Sequence, residues 1–421
     1  MLERMSASSP TPADTLELEV TNIAHGGVAV ARHEGRVVFV ADTLPGERVL
    51  ARVADTTHDR FWRAETVRVL DASADRQDHV WSAASVQNDP DERPGGAEFG
   101  HIRLDRQRAL KRDVLVDGMR RFGGVDDAET SVPPVEPVAG RADGTGWRTR
   151  IRLHVSETGE VGPFAARSHR VIPVADLPLA ENAVAAAAPT TVPAGTDTAI
   201  EVIATSAGDV RVLGDGGSGD RAPVVEKVGD RAFRLAAGGF WQVHTAAART
   251  LTDAVGDALD VTRFDADARN LDLYGGVGLL AAAVADRFDG AVSIETVEAD
   301  RRATSFAAEN LADVRGARAT TARVDRFLNG LERRSSDRDR DALRRASVVL
   351  DPPRSGAGRE VMASLGRLAP AQLVYVACDP IALARDTGYA AKAGYRLASL
   401  RAFDLFPHTH HLEAVATFVR D

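Results

Sequence analysis

Four short stretches in the second half of the chain combine residue types that could carry out a reaction. The first is Val376-Ala377-Cys378-Asp379-Pro380, which closes an apolar run and leads into PIALARD. Proline suits the first turn of a helix, so Cys378 stands just ahead of a predicted helix N-terminus. The positive end of the helix dipole is expected to lower the thiol pKa and make the nucleophilic thiolate available. Cysteines are usually buried and inert, but Cys378 is the only one in the chain and sits at a strand end. The second stretch, Phe406 to Glu413 (FPHTHHLE), ends on a carboxylate followed by the strand-like AVATFV. Glu413 at that strand edge could act as a general base. His408, His410 and His411 do not have the spacing that puts two on one helix face, so no metal site is expected.

The third stretch, Asp272-Leu273-Tyr274-Gly275-Gly276-Val277-Gly278, joins a predicted strand to a predicted helix. Glycines there let the backbone approach a ligand with no Cβ in the way. Glu298, at the end of SIETV, lies about 20 positions further on and could accept both hydroxyls of a ribose. The pattern alone is ambiguous. Gly276-x-Gly278-x-x-Ala281 also fits the fingerprint of a nicotinamide-dependent oxidoreductase, and the glycines could serve strand–helix packing only. The fourth stretch is Asp351-Pro352-Pro353-Arg354 after SVVL. Two prolines make a stiff wall with few backbone donors, against which a planar base could lie. An acid at a strand's carboxyl end faces the ligand crevice of an open α/β sheet, although DPPR could also be an ordinary proline-rich turn.

The elements that must position these residues alternate from about residue 231 onward: NLDLYG then GLLAAAVADRF, AVSIETVEA then RRATSFAAENLA, SVVLD then GREVMASLGRL, LVYVAC then PIALARDTGYAAKAG. That order predicts an α/β fold with a mostly parallel sheet flanked by helices. Residues 15–72 read instead as four or five short strands punctuated by His25-Gly26-Gly27, Glu34-Gly35 and Pro45-Gly46. This predicts a small closed barrel of the oligonucleotide-binding type. Between them, 79–101 is rich in Asp, Pro, Gly and Ser and reads as loop. A helix follows (IRLDRQRALKRDVLVDGMRRF), and strand-like alternation returns in WRTRIRLHV and AIEVIATSAGDVRVLG. The charge-dense 331–345 reads as an exposed loop or frayed helix.

At 421 residues the chain should form two or three domains on a prior of ~150 residues each. We divide it at 15–72, 79–230 and 231–421. Hydrophobic residues at 44% and charged residues at 27% are globular composition, and no run is long enough to span a membrane. Met1–Ala13 reads as a frayed leader without the features of a secretory signal. One cysteine excludes an intrachain disulfide and an all-cysteine metal site, which points to the cytoplasm. A net charge of −9 argues mildly against a nucleic-acid partner. Two runs are nevertheless basic: Arg103 to Arg121, and Trp147-Arg148 with Arg150 and Arg152. Local basic surfaces can serve RNA on an acidic protein.

Taken together, ACDP around Cys378, FPHTHHLE ending in Glu413, DPPR at 351–354, DLYGGVG at 272–278 and Phe240-Trp241-Gln242-Val243 resemble the bacterial uracil-5 RNA methyltransferases. These modify transfer RNA at its T loop or the large ribosomal RNA. AHGGVAVARHEGRVVFVADTLPGERVLARV likewise resembles the TRAM domain, an RNA-binding barrel fused to several RNA-modifying enzymes. The resemblance implies a Rossmann-like class I methyltransferase domain, preceded by a TRAM barrel and a central α+β RNA-binding region. It implies S-adenosylmethionine as methyl donor, with Gln242, Tyr274, Gly276, Gly278, Glu298, Asp325 and Asp351 around it. Cys378 would be the nucleophile and Glu413 the base, acting on a uridine of tRNA or 23S rRNA, with no obligate protein partner. A non-catalytic RNA-binding module would leave that thiol and carboxylate without a task. Leu279 stands where several relatives carry Asn, Asp325 replaces a common Asn, and His244 stands where FxQvN would place Asn. Some members bind an iron–sulfur cluster through cysteines between the barrel and the following helix. Here VWSAASVQNDPDERPGGAEFGH has none, and thiolates are the ligands such a cluster requires, so no cluster is expected.

Overall fold

The computed structural model describes residues 14–420, so the leader reading of Met1–Ala13 lies outside the described residues. Strands β1 (Thr15–Ala24), β2 (Val28–His33), β3 (Arg36–Ala41), β4 (Arg48–Asp55) and β5 (Phe61–Asp71) close into a barrel in the order β1-β2-β3-β5-β4. Period-2 alternation makes this possible: in β4, Val49, Ala51 and Val53 are buried while the residues between them face outward. The β1–β2 hairpin turns on Gly26 and Gly27 at φ 88° and 76°, a region that other residues enter only with strain.

The stretch 79–101 is loop with two short 3₁₀ turns. Its Trp81, Ala84 and Ala97 pack with Trp147 and Leu179 into a small apolar core, and Trp81 Nε1 donates to Asp176 at 3.0 Å. After β6 (Val135–Pro137), a central antiparallel sheet comprises β7 (Arg150–Val155), β8 (Val161–Gly162), β9 (Ala199–Ala204) and β10 (Val210–Gly214) in the order β10-β9-β7-β8. The hairpin β11 (Val224–Val228) and β12 (Arg231–Leu235) follows.

The remaining strands are β13 (Asn270–Leu273), β14 (Ser293–Glu298), β15 (Gly316–Thr321), β16 (Ser347–Leu350), β17 (Gln372–Ala377), β18 (Arg396–Asp404) and β19 (Glu413–Val419). They join β6 in one eight-stranded sheet of order β15-β14-β13-β16-β17-β19-β18-β6. Strands β15 through β17 run parallel in that sheet, whereas β19 is antiparallel to both of its neighbours. Every residue of β13, β16, β17 and β19 is buried, as expected of strands covered by helices on both faces. Residues 331–345, expected as loop or frayed helix, are mostly helical, divided between the helices Val324–Arg334 and Asp337–Arg344. Ser336 and Asp339 cap the second one reciprocally. Among the described residues no helix is long and apolar enough to cross a membrane.

The basic helix Leu104–Gly118 buries one face against this sheet and the barrel. Leu115, Val116 and Met119 share a core with Leu271, Leu373 and Phe418, while Leu110 enters the barrel core. Its arginines mostly pair with exposed acids of the same chain. Arg106 pairs with Asp75, Arg108 with Asp105, and Arg112 with Glu129. Lys111 is fully buried, bonded to Asp404 at 2.5 Å and to the Phe406 carbonyl at 3.0 Å. The run that suggested an RNA surface is thus mostly neutralised by its own fold. Lys111→Met should destabilise the protein by about 3–5 kcal/mol, because it strands the Asp404 carboxylate in a dry core. Adding Asp404→Leu should recover most of that loss. Urea unfolding of the wild type, single and double variants measures both.

Candidate active site

The sheet order brings the reactive residues together. Asp351 follows β16, Cys378 follows β17, and Glu413 opens β19, which lies next to β17. Because β19 is antiparallel, its first residue stands at the carboxyl edge of β17, with Ala377 paired to Ala414. Neighbouring strands are about 4.8 Å apart, so three adjacent strand ends deliver a carboxyl, a thiol and a second carboxyl to one edge.

The glycine loop after β13 forms the adjoining wall. Gly275 donates its N–H to the Val297 carbonyl at 3.1 Å. A Cβ on it would fall 1.9 Å from Thr296 Oγ1 and 2.4 Å from Asp272 Oδ2. Thr296 Oγ1 itself donates to Asp272 Oδ2 at 2.9 Å. Gly276, at φ 54°, has open space where a side chain would stand, and its N–H donates to Glu298 Oε2 at 3.2 Å. The other oxygen of Glu298 accepts from the Asp300 N–H at 2.7 Å. Glu298 therefore ties the glycine loop to the end of β14.

Gln242, Tyr274, Gly276, Glu298, Asp351, Cys378 and Glu413 all line one cavity of about 800 Å³. Two residues named from the sequence do not. Gly278 lies behind the wall, where it precedes the helix Leu279–Arg287 and packs close to Leu311. Asp325 is paired with Arg323 at 3.1 Å and touches the site only through its charge on Tyr274.

Burial sets the electrostatics. Asp351 is pushed up to about 7 by burial and by the charge of Asp272, and Asp272 to about 6 by burial. Glu413 is raised well above the usual carboxylate range by burial and then by Asp351. Cys378 is pushed up to about 12 by burial and by Glu413 and Asp351. The expected lowering of the thiol pKa by the helix therefore does not hold. The helix Pro380–Lys392 spends its first donors on Asp379, whose Oδ1 accepts from Ile381 at 3.0 Å and Ala382 at 2.8 Å.

Several residues here escaped the sequence reading. Asp386, fully buried, accepts from the Ala357 and Gly358 N–H groups and from the Tyr375 hydroxyl, and so fixes the loop that follows DPPR. Its signal was an acid amid the apolar ALARDTGYAA. Glu98 and Trp147 also line the cavity, and Glu98 Oε2 and Trp147 Nε1 are buried without a hydrogen-bond partner. Nothing in the loop sequence marked Glu98. The three histidines diverge. His408 is buried between Gln107 and the Asp143 carbonyl, His410 lies 3.6 Å from Glu98, and His411 is 3.4 Å from Arg354. Among the described residues no group of three His, Cys, Asp or Glu side chains is placed to hold a metal ion.

A second cavity, of about 860 Å³, lies between barrel, loop and central sheet. Arg63, Arg152 and Arg167 line it, and Glu98 and Arg148 line both cavities.

The model of the tRNA (uracil-5-)-methyltransferase family matches residues 194–420. The chain belongs to this family. It is 35% identical over 436 residues to an uncharacterized RNA methyltransferase of Streptomyces avermitilis, covering 95% of this chain and 97% of the relative. It is 30% identical over 467 residues to the 23S rRNA (uracil(1939)-C(5))-methyltransferase RlmD of Alkalilimnicola ehrlichii, with 97% and 98% covered. Its fold is similar to that of the Pyrococcus abyssi tRNA (uracil-54, C5)-methyltransferase, solved with S-adenosyl-L-homocysteine. That TM-score is 0.68 at 19% identity, covering 96% of this chain and 99% of the other. The likeness confirms the Rossmann-like methyltransferase fold with its additional barrel.

The two glycines of this family's loop should respond differently to a methyl group. Gly275→Ala must break the Asp272–Thr296 bond and should cost about 1–3 kcal/mol as an overpacking change. Gly276→Ala meets open space and should cost only its backbone strain, roughly 1–2 kcal/mol. Chemical denaturation of both variants should find Gly275→Ala the less stable.

Proposed function

We propose that this protein transfers a methyl group from S-adenosylmethionine to carbon 5 of a uridine in structured RNA, tRNA or 23S rRNA, through a covalent Cys378 adduct. The observation that carries this reading is the seating of Cys378, Glu413, Asp351 and the glycine loop on one cavity wall. A nicotinamide-dependent oxidoreductase would leave the thiol and Glu413 without a role, and an RNA-binding module would need neither.

The residues present fit the methyl donor. The open space beside Gly276 leaves its backbone accessible to a ligand, and Val277 and Phe306 add apolar wall to the same cavity. Gln242, Tyr274, Gly276, Glu298 and Asp351 would hold S-adenosylmethionine, which when bound supplies an electrophilic methyl group and would keep the electron pair of the broken sulfur–methyl bond as a neutral thioether. Gly278 supports this from behind by starting the adjoining helix, and Asp325 by its charge near Tyr274.

Uracil carbon 5 is a poor nucleophile. Cys378, as thiolate, forms a bond to carbon 6, and the displaced electron pair makes an enolate whose carbon 5 can take the methyl group. Glu413 then accepts the carbon-5 proton, the electron pair returns to the ring, and the sulfur–carbon bond breaks to release Cys378. Contact geometry for all three parts comes from the fixed strand ends. A base within folded RNA is out of reach of this cavity, so the uridine must be flipped out. Trp147 Nε1, buried without a hydrogen-bond partner, and the Glu98 carboxylate beside it on the cavity wall offer polar contacts to such a base. The barrel (15–72) and central region (79–230) would hold the surrounding RNA, and the arginines of the second cavity support that.

If Glu413 removes the carbon-5 proton, Glu413→Gln should stall the cycle after the covalent bond forms. With substrate RNA and methyl-labelled donor, that variant should accumulate a methylated protein–RNA adduct stable to denaturing electrophoresis. Cys378→Ala should give neither adduct nor 5-methyluridine by mass spectrometry of the RNA. A folded Glu413→Gln protein that traps nothing would remove Glu413 as the proton acceptor.

The pH dependence follows from the same burial. Glu413 must be a carboxylate to accept a proton, and Cys378 must lose one to attack. Raised pKa values hold those protons to higher pH, so activity is lost on the acid side. With Glu413 raised well above the usual carboxylate range and Cys378 pushed up to about 12, the single-turnover rate should still be rising with pH at pH 9. An unburied pair, with Glu at about 4.3 and Cys at about 8.5, would instead level off toward pH 9. Quenched-flow measurements between pH 5.5 and 9 separate the two.

A further inference from the structure

We infer that His25, at the tip of the N-terminal barrel, is a positioning residue for methyl transfer: it clamps Asp379 and so holds the neighbouring Cys378 on the cavity wall. This rests on the reading of Cys378 as the nucleophile. The β1–β2 turn crosses from the barrel to the carboxyl end of β17, and His25 Nε2 bonds Asp379 Oδ2 at 2.7 Å across 354 residues of sequence. The other oxygen, Asp379 Oδ1, accepts the first two N–H groups of the helix that follows. One carboxylate is therefore held at both ends, by barrel and by helix, and it is covalently adjacent to Cys378. Removing either hold frees a backbone segment that has to present sulfur to carbon 6.

The same turn presses on the other reactive loop. A Cβ on Gly27 would lie 2.7 Å from His410 Cβ, three residues before Glu413. Ala24 to Gly27 share a narrow seam with Cys378, Pro380, His411 and Leu412. The barrel thus touches both segments that bring the thiol and the base to the site. The bond between His25 and Asp379 is charge-assisted. The Asp379 hydrogen bond raises the His25 pKa against partial burial. Burial acts to raise Asp379, but His25 and the helix N–H groups outweigh it and leave that carboxyl below its ordinary value. Such bonds are short and about twice as strong as neutral ones.

The protein's one cysteine makes the test direct, because iodoacetamide alkylation reports on Cys378 alone. In the full-length protein, His25→Ala should lower kcat for RNA methylation about 10-fold with KM for RNA within about twofold, as a loss of positioning does. The alkylation rate of Cys378 should rise alongside it, because a freed segment exposes a thiol that is otherwise partly buried. His25→Gln, which keeps an N–H donor at similar reach, should recover kcat to within about threefold of wild type. Thermal unfolding of each variant checks that the fold is kept. An unchanged alkylation rate in His25→Ala, a raised KM with kcat intact, or a Gln variant as slow as Ala would each overturn the clamp. If the wild type makes no 5-methyluridine, the functional reading fails, and the alkylation comparison still judges the clamp by itself.

Discussion

Everything at this site depends on holding ionisable groups out of water at the carboxyl edge of a parallel sheet. Asp272, Asp351 and Glu413 are all enclosed there, and each is raised above its ordinary value. Removing a carboxylate from water is costly unless it is paired or hydrogen-bonded, and only Asp272 has a close hydroxyl partner, from Thr296. In the proposed reaction that cost becomes useful. A carboxyl that resists losing its proton is, once ionised, a stronger base than one in water. The same enclosure makes the Cys378 thiol hard to ionise, so thiol and carboxyls are not independent: each negative charge on one raises the cost of the next.

That arrangement can persist only because the scaffold around it is over-determined. Asp386 takes three donors to lock the loop after Asp351. Lys111 reaches from a helix shared with the barrel to Asp404, at the end of β18. His408 sits at φ 65°, strained for a side chain, and is held there by Gln107 and Asp143. These are long-range polar contacts between parts distant in sequence. They explain how three strand ends can converge at fixed geometry when the loops between them carry the reactive groups.

What the sequence made legible follows from which signals are local. Period-2 alternation and paired glycines announced the barrel, and alternating strand and helix runs announced the parallel sheet, because both patterns are written in neighbouring residues. The four motifs were legible because strand-end loops are short. Other features depend on partners far along the chain. Three residues at 135–137 complete an eight-stranded sheet by pairing with β18, and no three-residue run can announce that. Lys111 read as a surface cation because its partner lies 293 positions away. The thiol pKa went the wrong way because a dipole argument from local sequence omits burial and two carboxyls on adjacent strands. Asp325 was placed by resemblance, and its salt bridge to Arg323 is an interaction that a resemblance does not reveal.

The acidic net charge and the proposed RNA substrate are reconciled by where charge is left unpaired. Many arginines pair with Asp and Glu, Arg249 with Asp253 and Arg345 with Asp265 among them, so the net charge of −9 says little about any one face. Arg148 is different. Among the described residues it makes no salt bridge, and its Nε donates to the Arg150 carbonyl. Burial lowers its pKa, with only Glu98 opposing, and it lines both the cavity that holds Cys378 and the arginine-lined one beside it. A desolvated guanidinium without an ion-pair partner is a strong local attraction for a phosphate or a base edge. Field at a cleft is set by such nearby groups and its low-dielectric walls, and a distant surplus of carboxylates is screened within about 10 Å. A chain can therefore be acidic overall, which resists indiscriminate binding to nucleic acid, and still present positive charge where one nucleotide has to enter.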